Sequence, residues 1–165
     1  MDIIKPPAVE NRPSLYTLGI SETVPFRGMI SARDRLWAEL IVWLDQGHIP
    51  HAGLLYLRLN VVNMAGSMDV EAGVITALSL PGEGRIRSGV IPGGMYATLT
   101  HRNHSVRANK FLLDWVDTHK IRLDRKVELA GDRFKCRYER VLSDVTNEPR
   151  RTRWLVQLNV LIVDD

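Results

Sequence analysis

The segment Trp43-Leu44-Asp45-Gln46-Gly47-His48-Ile49 returns, altered, as Trp115-Val116-Asp117-Thr118-His119-Lys120-Ile121, 72 residues further on. Each copy closes an apolar run of helical spacing and leads into strand-like sequence. A period of this length, met twice, does not fit a solenoid, which stacks three or more shorter repeats. It points to a duplicated α+β half-unit. Two such units bury their apolar faces by sharing a sheet, and the seam between them is a natural place for a cleft. Trp43 and Trp115 read as the anchors of the two halves.

The order of elements follows from periodicity. Leu15 to Ser21 alternates as a first strand, and Ser31 with Asp34 resembles a capping box opening a helix. Leu36, Trp37, Leu40, Ile41, Trp43 and Leu44 give that helix a broad apolar face. Strands are predicted at Leu54–Leu59, Met68–Ala77, Ile86–Ile91 and Met95–Thr100. A second helix runs from Asn103 or Ser105 to His119, and strands near Phe134–Leu142 and Trp154–Val163 close the chain. Residues 1–11, Pro-rich and polar, read as a flexible lead-in to a single domain over 12–165. Too few helices remain to cover both sheet faces. The fold class is therefore α+β: duplicated β-α-β-β units with pseudo-twofold symmetry, an antiparallel sheet, two helices on one side and a ligand cleft at the seam.

A net charge of +3, from 22 basic and 19 acidic residues, is too mild to suggest a nucleic-acid surface. Arg150, Arg151 and Arg153 read as a solvated turn. No stretch approaches a membrane span or a signal peptide. The lone Cys136 fits a reducing compartment, so the expected location is cytoplasmic. The two HxxH pairs, His48/His51 and His101/His104, lack the HExxH pattern of zinc hydrolases and read as capping or surface residues. No metal or cofactor site is expected. His101 lies near the mouth of the expected cleft.

Met68-Asp69-Val70-Glu71-Ala72-Gly73-Val74, Ile91-Pro92-Gly93-Gly94-Met95-Tyr96-Ala97, Tyr138-Glu139-Arg140-Val141-Leu142-Ser143-Asp144 and Leu158-Asn159-Val160-Leu161-Ile162 follow one another in a recognisable order. In these segments the chain resembles the GyrI-like effector-binding domains, which also form the ligand-sensing halves of AraC- and MerR-type regulators. The resemblance runs over about residues 12–163 and implies the same pair of β-α-β-β units. It departs from the family at Arg140 and Val141, at Asn103 and His104 before the second helix, and at Gln157, where some relatives carry a second carboxylate.

The resemblance makes Glu139 the leading candidate for the site: an acid in an aromatic-lined cleft, placed to pair with a cationic, apolar ligand. On a strand it shares a face with Arg137 and Val141. Tyr96 and Trp154, then Tyr56 and Trp37, are the rings expected to line the seam, with Val141 and Gln157 beside them. The first half carries no matching acid, since the 72-residue offset from Glu139 leads to Ser67.

Three functions follow. The first is a stand-alone small-molecule-binding domain for hydrophobic or cationic, aromatic ligands, with no room for its own DNA reader and no direct nucleic-acid or membrane binding. If it regulates transcription, it does so through a protein partner, or it is a fragment or relative of a regulator. The second is a GyrI-like hydrolase that detoxifies an electrophile with Glu139 as general base. The third is a gyrase-inhibitor-like protein-interaction module, disfavoured by the basic balance.

Overall fold

A computed structural model describes residues 1–164; Asp165, the last residue of the expected domain, lies outside the described residues. The strands are β1 (Asp2–Arg12), β2 (Leu15–Pro25), β3 (Leu55–Val62), β4 (Ser67–Thr76), β5 (Arg87–Ile91) and β6 (Gly94–Arg102), followed by β7 (Arg125–Glu128), β8 (Gly131–Phe134), β9 (Arg137–Val141) and β10 (Val156–Leu161). Helix α1 (Met29–Gln46) follows β2, and α2 (Ser105–Thr118) follows β6. The sheet order is β1-β6-β10-β9-β3-β4-β2-β5, with the β7–β8 hairpin attached at β3. All pairings are antiparallel.

Read outward from the β3–β9 contact, the order is β3-β4-β2 on one side and β9-β10-β6 on the other. The two β-α-β-β units thus meet across a pseudo-dyad. The echo at offset 72 is exact in register through both helices. Leu36, Leu40 and Leu44 of α1 are buried, and so are Ala108, Leu112 and Val116 of α2. Both helices also end alike. Ile49 N–H donates to Leu44 O at 2.9 Å and Ile121 N–H to Val116 O at 3.0 Å, around His48 and Lys120 at φ 55° and 54°. This is the Schellman termination, with a left-handed residue just past each helix.

Some expectations are corrected. Trp43 and Trp115 are not the anchors: both are only partly buried, one residue off the line of Leu40 and Leu44 or of Leu112 and Val116. Trp43 Nε1 reaches Glu83 at 2.8 Å, and Trp115 stacks on His119 with centroids 4.4 Å apart. Helix α1 starts at Met29 behind a short 3-10 turn at Phe26–Gly28, so Ser31 caps nothing. The lead-in is no coil. Residues 2–12 form β1, whose register slips between Lys5 and Ala8, across Pro6 and Pro7. Proline is tolerated on such an edge because the missing N–H is not needed there. Arg12 pins the strand by donating to Asn159 Oδ1 at 3.3 Å and Thr98 Oγ1 at 3.2 Å.

Among the described residues no helix is long and apolar enough to cross a membrane.

Candidate functional site

At the seam Leu55 pairs with Val141 and Leu57 with Glu139, while Leu158 of β10 flanks Glu139 on its other side. Cross-strand partners point to the same face. Alternation therefore sends Leu57, Arg137, Glu139 and Val141 toward the helices and Tyr56, Arg58, Tyr138 and Arg140 away from them. Glu139 stands between two leucines and is 9% exposed. Among the described residues its hydrogen bond comes from Ser105 Oγ, which donates to Oε1 at 3.3 Å, and it forms no ion pair.

Ser105 is brought there by an unusual turn. Asn103 and His104, joining β6 to α2, both hold left-handed backbone, at φ 60° and 54°. Asparagine accepts that conformation more readily than most residues, and Asn103 Oδ1 accepts the His104 N–H at 2.9 Å. For His104 the cost is roughly 1–2 kcal/mol. The turn sets the first residue of α2 directly against the buried acid.

Two cavities meet at Glu139 and Ser105. The smaller, ≈ 230 Å³, lies between α1 and the turn before α2 and is walled by Arg33, Trp37, His101 and Trp154. Trp37 and Trp154 stand 6.2 Å apart, and the Arg33 guanidinium lies 4.8 Å and 5.2 Å from their ring centres. Asp34 holds that guanidinium through its Oδ1, at 3.0 Å from Nε and 2.8 Å from the terminal nitrogen, and takes Arg151 on Oδ2 at 2.8 Å. Arg151, exposed as the reading of a solvated turn expects, also lines this cavity. His101 is 1% exposed; its Nδ1 lies 3.2 Å from Asn103 O, and its Nε2 is buried without a partner. Burial pushes its pKa below the ordinary histidine value, and the charge of Glu139 opposes that shift.

The larger cavity, ≈ 550 Å³, lies between the start of α1, the outer face of α2 and β8, with Met29, Leu59, Met68, Val106 and Phe134 in its walls. Arg137 lines it, 7% exposed, with one terminal nitrogen donating to Asn109 Oδ1 at 2.9 Å.

The structure brings together Glu139, Trp37, Val141 and Trp154 of the predicted set, all on the smaller cavity. It does not bring Tyr56, Tyr96 or Gln157 there. These lie on the opposite face of the sheet, each one step out of phase with a cleft-facing neighbour. Tyr56 lies over the paired Gly19 and Gly73 and donates to Glu71 Oε2 at 2.5 Å. A Cβ on Gly73 would fall 2.4 Å from the Tyr56 hydroxyl, so the glycine is what admits the ring. Tyr96 donates to Pro92 O at 2.6 Å and meets Tyr138 edge-on at 5.7 Å. Gln157 pairs across the ladder with Arg140 and accepts from Asn159 Nδ2 at 3.1 Å. Nor is Ser67 the counterpart of Glu139. The β7–β8 hairpin lengthens the second half after α2 and breaks the offset there, so that Leu57 faces Glu139.

Sequence reasoning missed Ser105 and Arg33. Arg33 precedes Trp37 by one helical turn, the spacing at which a guanidinium can cover a ring, and that signal was present. Nothing in the sequence pattern marked Ser105.

No protein-family model and no curated protein sequence matches the chain. Solved structures do. The EcmrR C-terminal domain superposes over 99% of this chain and 100% of its own length, with 18% identity and a TM-score of 0.65. Against EcmrR in its complex with DNA the TM-score is 0.67, and the chain spans 59% of that protein's length. SAV2435 bound to tetraphenylphosphonium matches over 96% of this chain and 94% of its own, at 12% identity and a TM-score of 0.59. A hydrolase from Listeria innocua matches over 96% and 92%, at 12% identity and 0.56. With its mirrored strand order and paired helices, the chain has the GyrI-like fold, which it shares with the EcmrR C-terminal domain, SAV2435 and the Listeria innocua hydrolase.

Proposed function

We propose that this protein binds a small, largely apolar cationic ligand in the cleft between its helices, with Glu139 as the polar anchor. The observation that carries the reading is Glu139 itself: a buried carboxylate with no ion pair among the described residues, on a wall common to two cavities. A buried acid with no cation in contact is costly, and a ligand cation relieves that cost. The Trp37–Trp154 pair already holds the Arg33 guanidinium, so its ring faces suit a cation that takes the place of that side chain. SAV2435 supports the reading, since a protein of this fold holds tetraphenylphosphonium. The same fold forms the C-terminal domain of EcmrR, a protein found on DNA, which supports a sensing role in transcription.

A thermal-shift titration with tetraphenylphosphonium tests this. At a hundredfold excess over Kd the expected rise in Tm is roughly 5–10 °C, and Glu139→Gln abolishes it. An equal shift in both proteins contradicts the assignment.

A hydrolytic reading has one specific observation in its favour. His101 presents an unpartnered Nε2 in the wall of the cavity that holds Glu139. In that reading Glu139 takes a proton from water while the water oxygen bonds to an electrophilic ring carbon; the strained bond from that carbon to its heteroatom breaks, the heteroatom keeps the electron pair and takes a proton from solvent, and His101 orients the water. Wild-type turnover of a strained electrophile, lost in Glu139→Gln, is its signature.

A further inference from the structure

We propose that the larger cavity is a second ligand site and that it takes an amphiphilic anion, with the acidic head on Arg137 and the tail along Leu59, Met68 and Phe134. This goes beyond the cation reading of Glu139 and carries the opposite charge.

Arg137 is buried to 7% exposure, yet no carboxylate among the described residues pairs with it. Its partners are the neutral amide of Asn109 at 2.9 Å and the face of Phe134, 4.8 Å from the guanidinium carbon. Its Nε–H is buried with no acceptor. A guanidinium offers five N–H donors and stays charged, so it cannot escape by losing a proton. Leaving such a group unpaired out of water is costly.

The surroundings supply an opposing field but no contact: the charges of Glu139 and Asp132 favour the guanidinium, yet among the described residues neither forms an ion pair with it. At the rim Lys110 pairs with Asp114 at 2.8 Å and Arg125 with Asp132 at 4.0 Å, so these charges cancel in pairs. Glu139 is the remaining acid on the wall; it accepts from Ser105 and makes no hydrogen bond or ion pair with Arg137 among the described residues. The cavity beside Arg137 is ≈ 550 Å³, within the range of small-molecule sites. Its apolar walls suit a hydrocarbon chain, and Met29 and Met68 bring thioethers that adapt to one. A carboxylate meets the geometry of a guanidinium edge better than any neutral head group does.

The test compares dodecanoate, dodecanol and dodecyltrimethylammonium, each below its micelle concentration, by calorimetric titration of the full chain. Dodecanoate is expected to bind at least about tenfold more tightly than the other two, the scale of one charge-assisted hydrogen bond. Arg137→Met is expected to remove that preference and leave dodecanol binding unchanged. Equal affinity for all three probes, or a preference that survives Arg137→Met, overturns the proposal. Should Arg137→Met not fold, Val106→Trp serves instead: Val106 is 60% exposed on α2 and lines the cavity, so the indole can fill it from outside. Dodecanoate binding unaffected by Val106→Trp likewise overturns the proposal. Glu139→Gln separates the two sites. It removes the tetraphenylphosphonium shift if the cation reading holds, and it leaves dodecanoate bound as tightly or more tightly if this one does.

Discussion

The two half-units share a backbone plan and divide the labour unequally. The first contributes Leu57 and Trp37 to the seam, along with the glycine floor under Tyr56. The second contributes Ser105, His101, Arg137 and Glu139. Across the pseudo-dyad a leucine faces a carboxylate. On the cleft face of the seam the first half leaves no buried polar side-chain atom unpartnered among the described residues; its unpartnered Arg58 Nε lies on the opposite face of β3. The second half keeps polar atoms on the cleft face with one partner or none, namely His101 Nε2, Arg137 Nε and the carboxylate of Glu139. Duplication supplies a symmetric scaffold, and in the proposed function loss of symmetry at a few side chains turns its seam into a site. Such sites are where a chain departs from its own packing rules.

The comparison breaks most visibly in stability. Leu40→Ala, in the packed core, and Leu57→Ala, buried on the cavity wall opposite Glu139, are each expected to cost about 2–5 kcal/mol in urea denaturation. Gly73→Ala is expected to cost about 1–3 kcal/mol, because the new Cβ meets both Tyr56 and the Leu18 carbonyl. Glu139→Leu, the same wall seen from the other half, is expected to be neutral or stabilising by up to about 1–4 kcal/mol, since it replaces a buried unpaired charge by an apolar side chain. A loss of stability at Glu139 comparable to that at Leu57 would show that the acid belongs to the scaffold.

The pH dependence sharpens the same contrast. His101 is held below its ordinary pKa by burial, so the unfolded chain binds the proton more readily than the folded one. Its contribution is neutral above about pH 6.5, the unfolded value, and turns destabilising as the pH falls below it. Urea midpoints measured down that range should fall in wild type and fall less steeply in His101→Gln. Identical slopes would mean that His101 does not carry the effect. The smallest effect tests what the halves still share: His48→Gly and Lys120→Gly each relieve a left-handed residue and should each stabilise by about 1 kcal/mol, by equal amounts.

Much of this was legible in the residues. Helix spacing and the Trp43/Trp115 echo announce the duplication, because a buried helical face and its termination leave local marks. Alternation along β9 sets Glu139 and Arg137 on one face without any structure. The back-face tyrosines were not legible as such. A strand buried on both sides carries large residues at every position, so Tyr56 and Leu57 look equally fit for the cleft until a neighbour fixes the phase. The strand nature of residues 2–12 was hidden by Pro6 and Pro7, which argue for coil locally and are harmless on a sheet edge. The β7–β8 hairpin is exposed along β7 and leaves no hydrophobic pattern to read. Arg33 and Ser105 reach the site through a helical turn and a left-handed loop, which are tertiary consequences.

The central claim is that Glu139 makes the seam a binding site rather than part of the core. Thermal titration of wild type, Glu139→Gln and Leu40→Ala with tetraphenylphosphonium tests it most directly. The account predicts a ligand-dependent rise in Tm for wild type, the same rise from a lower starting Tm for Leu40→Ala, which lines neither cavity, and none for Glu139→Gln despite an undiminished starting Tm. A rise in Glu139→Gln equal to that of wild type would contradict it.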